Sequence, residues 1–288
     1  MKKLVLTGAA GRLGSYLREP LSKLADHLVS SDIVAGMGEL YPNETYIRAD
    51  LASFADIHAL LQDADMVVHF GAIGDEAPFD QILGPNIIGA YNIWEAAYLQ
   101  GVKRVVYASS IHAVGMHARQ DFIGIDAPHR PDTFYGLAKC FAEDLARMYW
   151  DKRGVESVCL RILSCAKVSN TRALGTWLSY DDLIQLVSRA IAAPTVGFSV
   201  IYGVSNNDRV PVDNSKASFL GYRPRDNAEQ FAEIFANACI ADATDAAQMC
   251  HGGPFASIDL GKSAMGALNI VDDKKVNGGP DLQRNCID

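Results

Sequence analysis

Short apolar runs alternate with amphipathic stretches along the first 162 residues. Runs near 3–7, 27–32, 45–49, 65–70, 103–108 and 155–162 read as buried strands. Helical spacing covers 11–24, 54–62, 80–100 and 134–153. Strand and helix in regular alternation predict an α/β fold with a doubly wound parallel sheet. Such sheets gather ligands at the carboxyl ends of their strands, where Gly8, Asp32, Gly71 and Ser110 would meet. After Arg161-Ile162 the pattern loosens. Residues 164–179 read as a substrate loop. A helix at 180–193, a strand at 197–203 and short helices near 214–220 and 227–240 follow. From about 252 the chain is rich in Gly, Asp, Asn and Lys and has no period. It reads as a tail, poorly ordered or packed on a neighbouring subunit. The predicted division is a Rossmann domain over 1–162, a small lobe over 163–251 that returns some elements to the sheet, and a tail over 252–288.

Two local patterns carry chemistry. The first is Gly8-Ala9-Ala10-Gly11-Arg12-Leu13-Gly14 after an apolar strand. Glycines here make a tight turn and let a pyrophosphate reach the backbone N–H groups of a helix N-terminus. The spacing is Gly-x-x-Gly-x-x-Gly rather than the usual Gly-x-Gly-x-x-Gly. Asp32 ends the next strand, about 20 residues on, where a ribose-binding acid belongs. The second pattern is Tyr135-Gly-Leu-Ala-Lys139 with Ser109-Ser110 upstream. Tyr and Lys four apart share one helix face. An ammonium there favours the phenolate, so a phenol becomes usable as a base nearer neutrality. Ser110 could share the substrate oxygen. The trio suits removal of a proton from an alcohol while a hydride leaves the same carbon.

Composition narrows the function class. The 288 residues are 49% hydrophobic, enough for a large core, and the net charge of −8 shows no clustered basic stripe. A nucleic-acid partner is therefore not expected. No apolar run approaches a membrane span, and the run after Met1-Lys2-Lys3 breaks at Gly8, too early for a signal peptide. Six cysteines without a Cys-x-x-Cys pair read as reduced thiols of a cytoplasmic protein. His112 and His117 are five apart, and His58 and His69 lie elsewhere, so no metal site is suggested.

Read together, Gly8-x-x-Gly11-x-x-Gly14, Asp32, Asp50-Leu51, His69-Phe70-Gly71-Ala72, Asn86, Ser109-Ser110 and Tyr135-x-x-x-Lys139 resemble the extended short-chain dehydrogenase/reductase family. The likeness runs in order through about residue 240. Phe79–Leu83, Asn86–Gly89, Tyr135–Phe141, Leu145–Tyr149, Ser164-Cys165, Thr176-Trp177 and Asp226–Glu229 are most similar to the uronate dehydrogenases. The resemblance implies an NAD-dependent enzyme that oxidises the anomeric C1 hydroxyl of a free anionic hexose to an aldonolactone. It implies Ser110, Tyr135 and Lys139 as catalytic residues. Gly8, Ala10, Gly11, Arg12, Leu13, Asp32, Asp50, Leu51, Gly71, Ala72 and Ile73 would hold NAD with Tyr135 and Lys139. NAD rather than NADP is implied because no Arg follows Asp32 to accept a 2′-phosphate. Gly74, Ile111, His112, Ser164 and Arg172 would line the substrate site, with Arg172 clamping the anion. Gly74 and Ile111 depart from the family pattern of Ser and Asn, which removes two partners for sugar hydroxyls. Other sugars, such as sulfoquinovose, glucose or glucose 6-phosphate, stay open as substrates. So do nucleotide-sugar epimerase or dehydratase chemistry and a non-catalytic NAD-binding regulator. A homo-oligomer paired through helices 80–100 and 134–153 is also implied.

Overall fold

Seven strands form one parallel sheet in a computed structural model that describes residues 1–236 and 244–264. In chain order the elements begin with β1 (Lys3–Thr7), α1 (Arg12–Ser22), β2 (His27–Asp32), β3 (Glu44–Arg48), α2 (Phe54–Leu60) and β4 (Met66–His69). Next come α3 (Phe79–Ile82), a π-helical turn (Leu83–Ile88), α4 (Gly89–Leu99), β5 (Arg104–Ser110), α5 (Phe134–Arg153) and β6 (Glu156–Ile162). The chain continues with α6 (Ala173–Thr176), α7 (Tyr180–Ala192), β7 (Phe198–Gly203) and α8 (Ala246–Met249).

The strand order is β3-β2-β1-β4-β5-β6-β7. Connections run one way from β1 and the other way from β4, so a crevice opens between the carboxyl ends of those two strands. The inner strands β1, β4, β5 and β6 are buried along most of their length because helices cover both faces, whereas the edge strand β3 is mostly exposed. Leu17 and Leu21 of α1 and Leu183 and Leu186 of α7 bury one face. Ile57, Ile93, Trp94, Leu145 and Tyr149 of α2, α4 and α5 bury the other. β7 and α7 belong to this same sandwich, although they come from the region expected as a separate lobe.

Three local departures from the expected elements have physical causes. The helix expected over 80–100 is interrupted by the π turn, which contains Pro85. Proline has no N–H to donate, and the ladder widens there. Residues 228–235 form a 3₁₀ helix rather than an α-helix, and the expected continuation to 240 lies outside the described residues. The beginning of the expected tail is not loose. His251, Gly252, Gly253 and Phe255 are buried against the body of the protein. Residues 265–288 lie outside the described part.

Candidate active site

The β1–α1 turn is shaped by its neighbours. Gly8 has φ of 71°, and a Cβ on it would fall 2.5 Å from the amide nitrogen of Gly71. A Cβ on Gly14 would fall 2.0 Å from the carbonyl oxygen of Gly8. These two glycines let turn, helix and the β4 exit touch, while Gly11 is exposed at the mouth of the turn. Leu13 packs on the core beneath. Asp32 closes the far side. Its carboxylate accepts from the N–H of Ala10 at 2.9 Å and from the N–H of Ile33 at 2.8 Å. A cleft beside it is lined by Ala9, Ala10, Val34, Gly36 and Met37. The Nη1 of Arg12 is buried and has no hydrogen-bond partner among the described residues. A buried orphan cation at a helix N-terminus fits a pyrophosphate.

The β4 exit forms the floor. Leu51 seats its side chain against Gly71, where a Cβ would approach its Cδ1 at 2.9 Å. Asp50 accepts from the N–H of Ala52 at 2.9 Å. Ile73, which follows Ala72, donates its N–H to Asn86 at 2.9 Å, and Asn86 returns a bond to the Ile73 carbonyl at 3.0 Å. Asn86 therefore ties the π turn to the loop after β4. Gly74 faces open space.

The trio stands at the carboxyl end of β5. α5 starts at a Thr133 cap, whose hydroxyl accepts from the N–H of Gly136 at 3.0 Å. This start points Tyr135 and Lys139 along one face. Ser110 stands beside Tyr135, and its hydroxyl favours the phenolate. Lys139 donates to the Ala108 carbonyl at 2.7 Å and sits 5.1 Å from the ring centre of Tyr135. Burial pushes the Tyr135 phenol up to about 12, partly opposed by the Ser110 hydroxyl. Burial pushes the Lys139 ammonium down to about 7, partly opposed by the carboxylate of Glu143 one turn further along. The expected lowering of the phenol by Lys139 is thus not what dominates. Desolvation sets the direction of the shift, and Lys139 donates its hydrogen bond to the backbone. Glu143 is held by Arg161 at 2.7 Å, by His129 at 2.9 Å and by Ser109 at 2.5 Å.

The wall opposite the dinucleotide turn is built on His112. Its Nδ1 bonds to Asp132 at 2.7 Å, and its ring stacks on Phe255 with centres 3.9 Å apart. Asp132 leaves Nε2 as the nitrogen free for a ligand. Arg172 donates through Nη2 to the carbonyl of His251, while its Nε is buried without a partner among the described residues. Burial and then Arg119 lower its pKa to about 10, while Asp132 opposes the shift. Ser164 lies just past β6, its backbone paired with Thr176 and Leu178. Ile111 does not face this wall. Its side chain is buried in a cluster with Val114, Tyr202 and Val212.

Residues 4–166 match the NAD dependent epimerase/dehydratase family. The chain belongs to that family. It is 44% identical over 255 residues to a uronate dehydrogenase of Pseudomonas putida, a match spanning 88% of this chain and 95% of the relative. A uronate dehydrogenase of Agrobacterium tumefaciens, solved as a mutant complexed with NAD, superimposes with a TM-score of 0.86 at 42% identity over 90% of this chain and 98% of that one. A glucuronic acid dehydrogenase from Chromohalobacter salexigens gives a TM-score of 0.87 at 42% identity over 90% and 97%. Within this family frame, Asp132, Glu76 and Phe255 are site-building residues that sequence patterns did not single out. Glu143 alone left a readable trace, since it continues the helical spacing of Tyr135 and Lys139.

Proposed function

We propose that the protein oxidises the C1 hydroxyl of a free uronate, such as glucuronate or galacturonate, to the aldonolactone with NAD. The observation that carries this reading is the orphaned Nε of Arg172 on the wall that holds His112 and Tyr135, in a chain 44% identical to a uronate dehydrogenase. A buried guanidinium with one unmatched N–H has room for a further acceptor, and an anion would supply it. The same argument at Arg12 supports the dinucleotide phosphates at the other end. Asp32 would take the ribose hydroxyls. Gly8, Gly11 and the β4 exit residues Gly71, Ala72 and Ile73 would let the dinucleotide lie close, with Leu51 and Asp50 beside the adenine.

When bound, NAD supplies the hydride acceptor. Tyr135 takes the anomeric hydroxyl proton as the C1 hydride leaves, so C1 is oxidised to the lactone carbonyl. Ser110, beside Tyr135, holds the reacting oxygen through its hydroxyl. Lys139 lies on the same helix face, 5.1 Å from the Tyr135 ring centre, and would favour the phenolate while it carries its charge. Arg172 binds the C6 carboxylate, and His112 and Ser164 offer polar contacts to the ring hydroxyls. Gly74 adds room rather than a partner.

We read residues 1–162 as the cofactor-binding part and 163–251 as the main source of substrate contacts. Tyr91, Leu99, Leu137, Phe141 and Met148 on α4 and α5 are exposed apolar side chains and support pairing of two copies there. Among the described residues no helix is long and apolar enough to cross a membrane. Cys140, Cys159, Cys165 and Cys250 are free thiols, which supports a cytoplasmic site of action. Glucuronate labelled with deuterium at C1 tests the reaction. NMR should find the label on the nicotinamide ring and a lactone as first product. Retention of the label at C1 would overturn the proposal.

A further inference from the structure

Residues 245–264 form a strap across the candidate site, and its attachment is specific. α8 opens it with an Asp245 cap, which accepts from the N–H of Ala247 at 2.9 Å. The strap then pairs with the loop after Ser110. Arg119 donates to the Met249 carbonyl at 2.7 Å, His251 to the His117 carbonyl at 3.0 Å and Gly252 to the Gly115 carbonyl at 2.8 Å. Gly253 turns it with φ of 61°, and a Cβ there would fall 2.7 Å from the Cζ of Arg172. That turn delivers Phe255, which is 5% exposed, onto His112. The Phe255 ring also lies 6.2 Å from that of Tyr135.

Beyond Phe255 the strap is tied down by two carboxylates on the loop after β4. Glu76 is buried. One of its oxygens accepts from the N–H of Gly261 at 2.8 Å, and the other accepts from the N–H of Tyr135 at 2.8 Å. Asp75 accepts from the N–H of Ala264 at 3.0 Å and from the hydroxyl of Ser263 at 2.5 Å. Glu76 thus links the end of the strap to the first turn of the catalytic helix. A carboxylate at that helix end is favoured by the exposed N–H groups and the helix dipole.

We infer that Phe255 is a specificity-determining residue, the apolar wall of the sugar site, and that Glu76 and Asp75 are positioning residues that hold it there. The inference rests on the reading of this pocket as the uronate site. A rigid aromatic beside His112 and Tyr135 orders the substrate against the polar groups without a hydrogen bond of its own. It also excludes water from the reacting centre.

Phe255→Ala, Glu76→Gln and Asp75→Ala test this in the full chain. Phe255→Ala should raise KM for glucuronate about tenfold or more with a smaller change in kcat, as expected for lost ground-state contacts. NADH affinity, read by fluorescence titration, should stay within about twofold in that variant. Glu76→Gln should reproduce the KM change and speed amide exchange at 258–264 about tenfold or more. Asp75→Ala, at the exposed end of the latch, should do the same in weaker form and covers the case in which Glu76→Gln folds poorly. An unchanged KM in Phe255→Ala, in an enzyme whose wild type oxidises glucuronate, overturns the role of Phe255 alone. Unchanged amide exchange in both latch variants overturns the roles of Glu76 and Asp75. A wild type that oxidises no uronate overturns the substrate reading and this role together.

Discussion

Replacing Lys139 by Met removes a buried ammonium at nearly constant side-chain shape. Lys139 is 3% exposed, and burial holds its pKa at about 7 instead of 10.5. A displacement of that size corresponds to about 5 kcal/mol of folding free energy. Its sign follows from the protons bound by each state. Below pH 7 the lysine is charged in both states, and the folded protein carries the whole penalty. As the pH rises from 7 towards 10.5 the folded chain has released a proton that the unfolded chain keeps. Stability therefore increases with pH and the penalty is gone above 10.5. Met also forfeits the 2.7 Å bond to the Ala108 carbonyl. An unmet buried acceptor costs about 2 kcal/mol. Lys139→Met should consequently be about 3 kcal/mol more stable than the parent at pH 6 and about equal to it at pH 9. Urea denaturation followed by tryptophan fluorescence at the two pH values measures the difference. A variant that is less stable at pH 6, or a gain that does not shrink towards pH 9, would refute the reasoning. The same substitution should abolish turnover, so the residue is retained at the expense of stability.

Tyr135→Phe should lower kcat by about 10²–10⁴-fold while NADH binding stays close to intact, because only the proton acceptor is lost. More than about a tenth of the parental activity would exclude Tyr135 as the base. Asp32→Ala should weaken NAD about tenfold, since ribose loses its acceptor and the turn loses the bond from the Ala10 N–H to Asp32, and should raise the relative efficiency with NADP. Steady-state kinetics with both dinucleotides checks it, and an unchanged NAD preference would count against the assignment. Arg172→Ala should raise KM for glucuronate at least about 30-fold and leave the weak oxidation of glucose nearly unaltered. Equal effects on both sugars would remove Arg172 from the anion site.

Much of the architecture is legible in the chain because buried parallel strands are continuous apolar runs. All seven strands fall within two residues of the runs read from the sequence. α5 was legible end to end, between a Thr133 cap and a left-handed Gly154. The trio and the glycine turn were legible because spacing on one helix face and at one turn is set locally. What escaped depends on long-range contacts. Asp132 matters through His112, twenty positions away in the chain, and no periodicity marks it. The strap is held by backbone N–H groups donated to Asp75 and Glu76, so it carries no hydrophobic period and reads as a tail. Ile111 takes the position of the family's Asn after Ser110, which points to the site. The 3₁₀ turn that follows β5 sends its side chain into the core instead. Proximity on one helix face points to a lowering of Tyr135 by Lys139. Only the fold reveals the desolvation that sets the direction of the shift.

The most direct measurement is NADH formation by the purified protein with glucuronate, galacturonate, sulfoquinovose, glucose and glucose 6-phosphate, each offered with NAD and with NADP. The expected result is efficient oxidation of glucuronate or galacturonate with NAD, with kcat/KM at least about 30-fold above that for glucose, the share assigned to Arg172. No NADH from either uronate, or neutral aldoses oxidised as efficiently as the uronates, would contradict the proposed function.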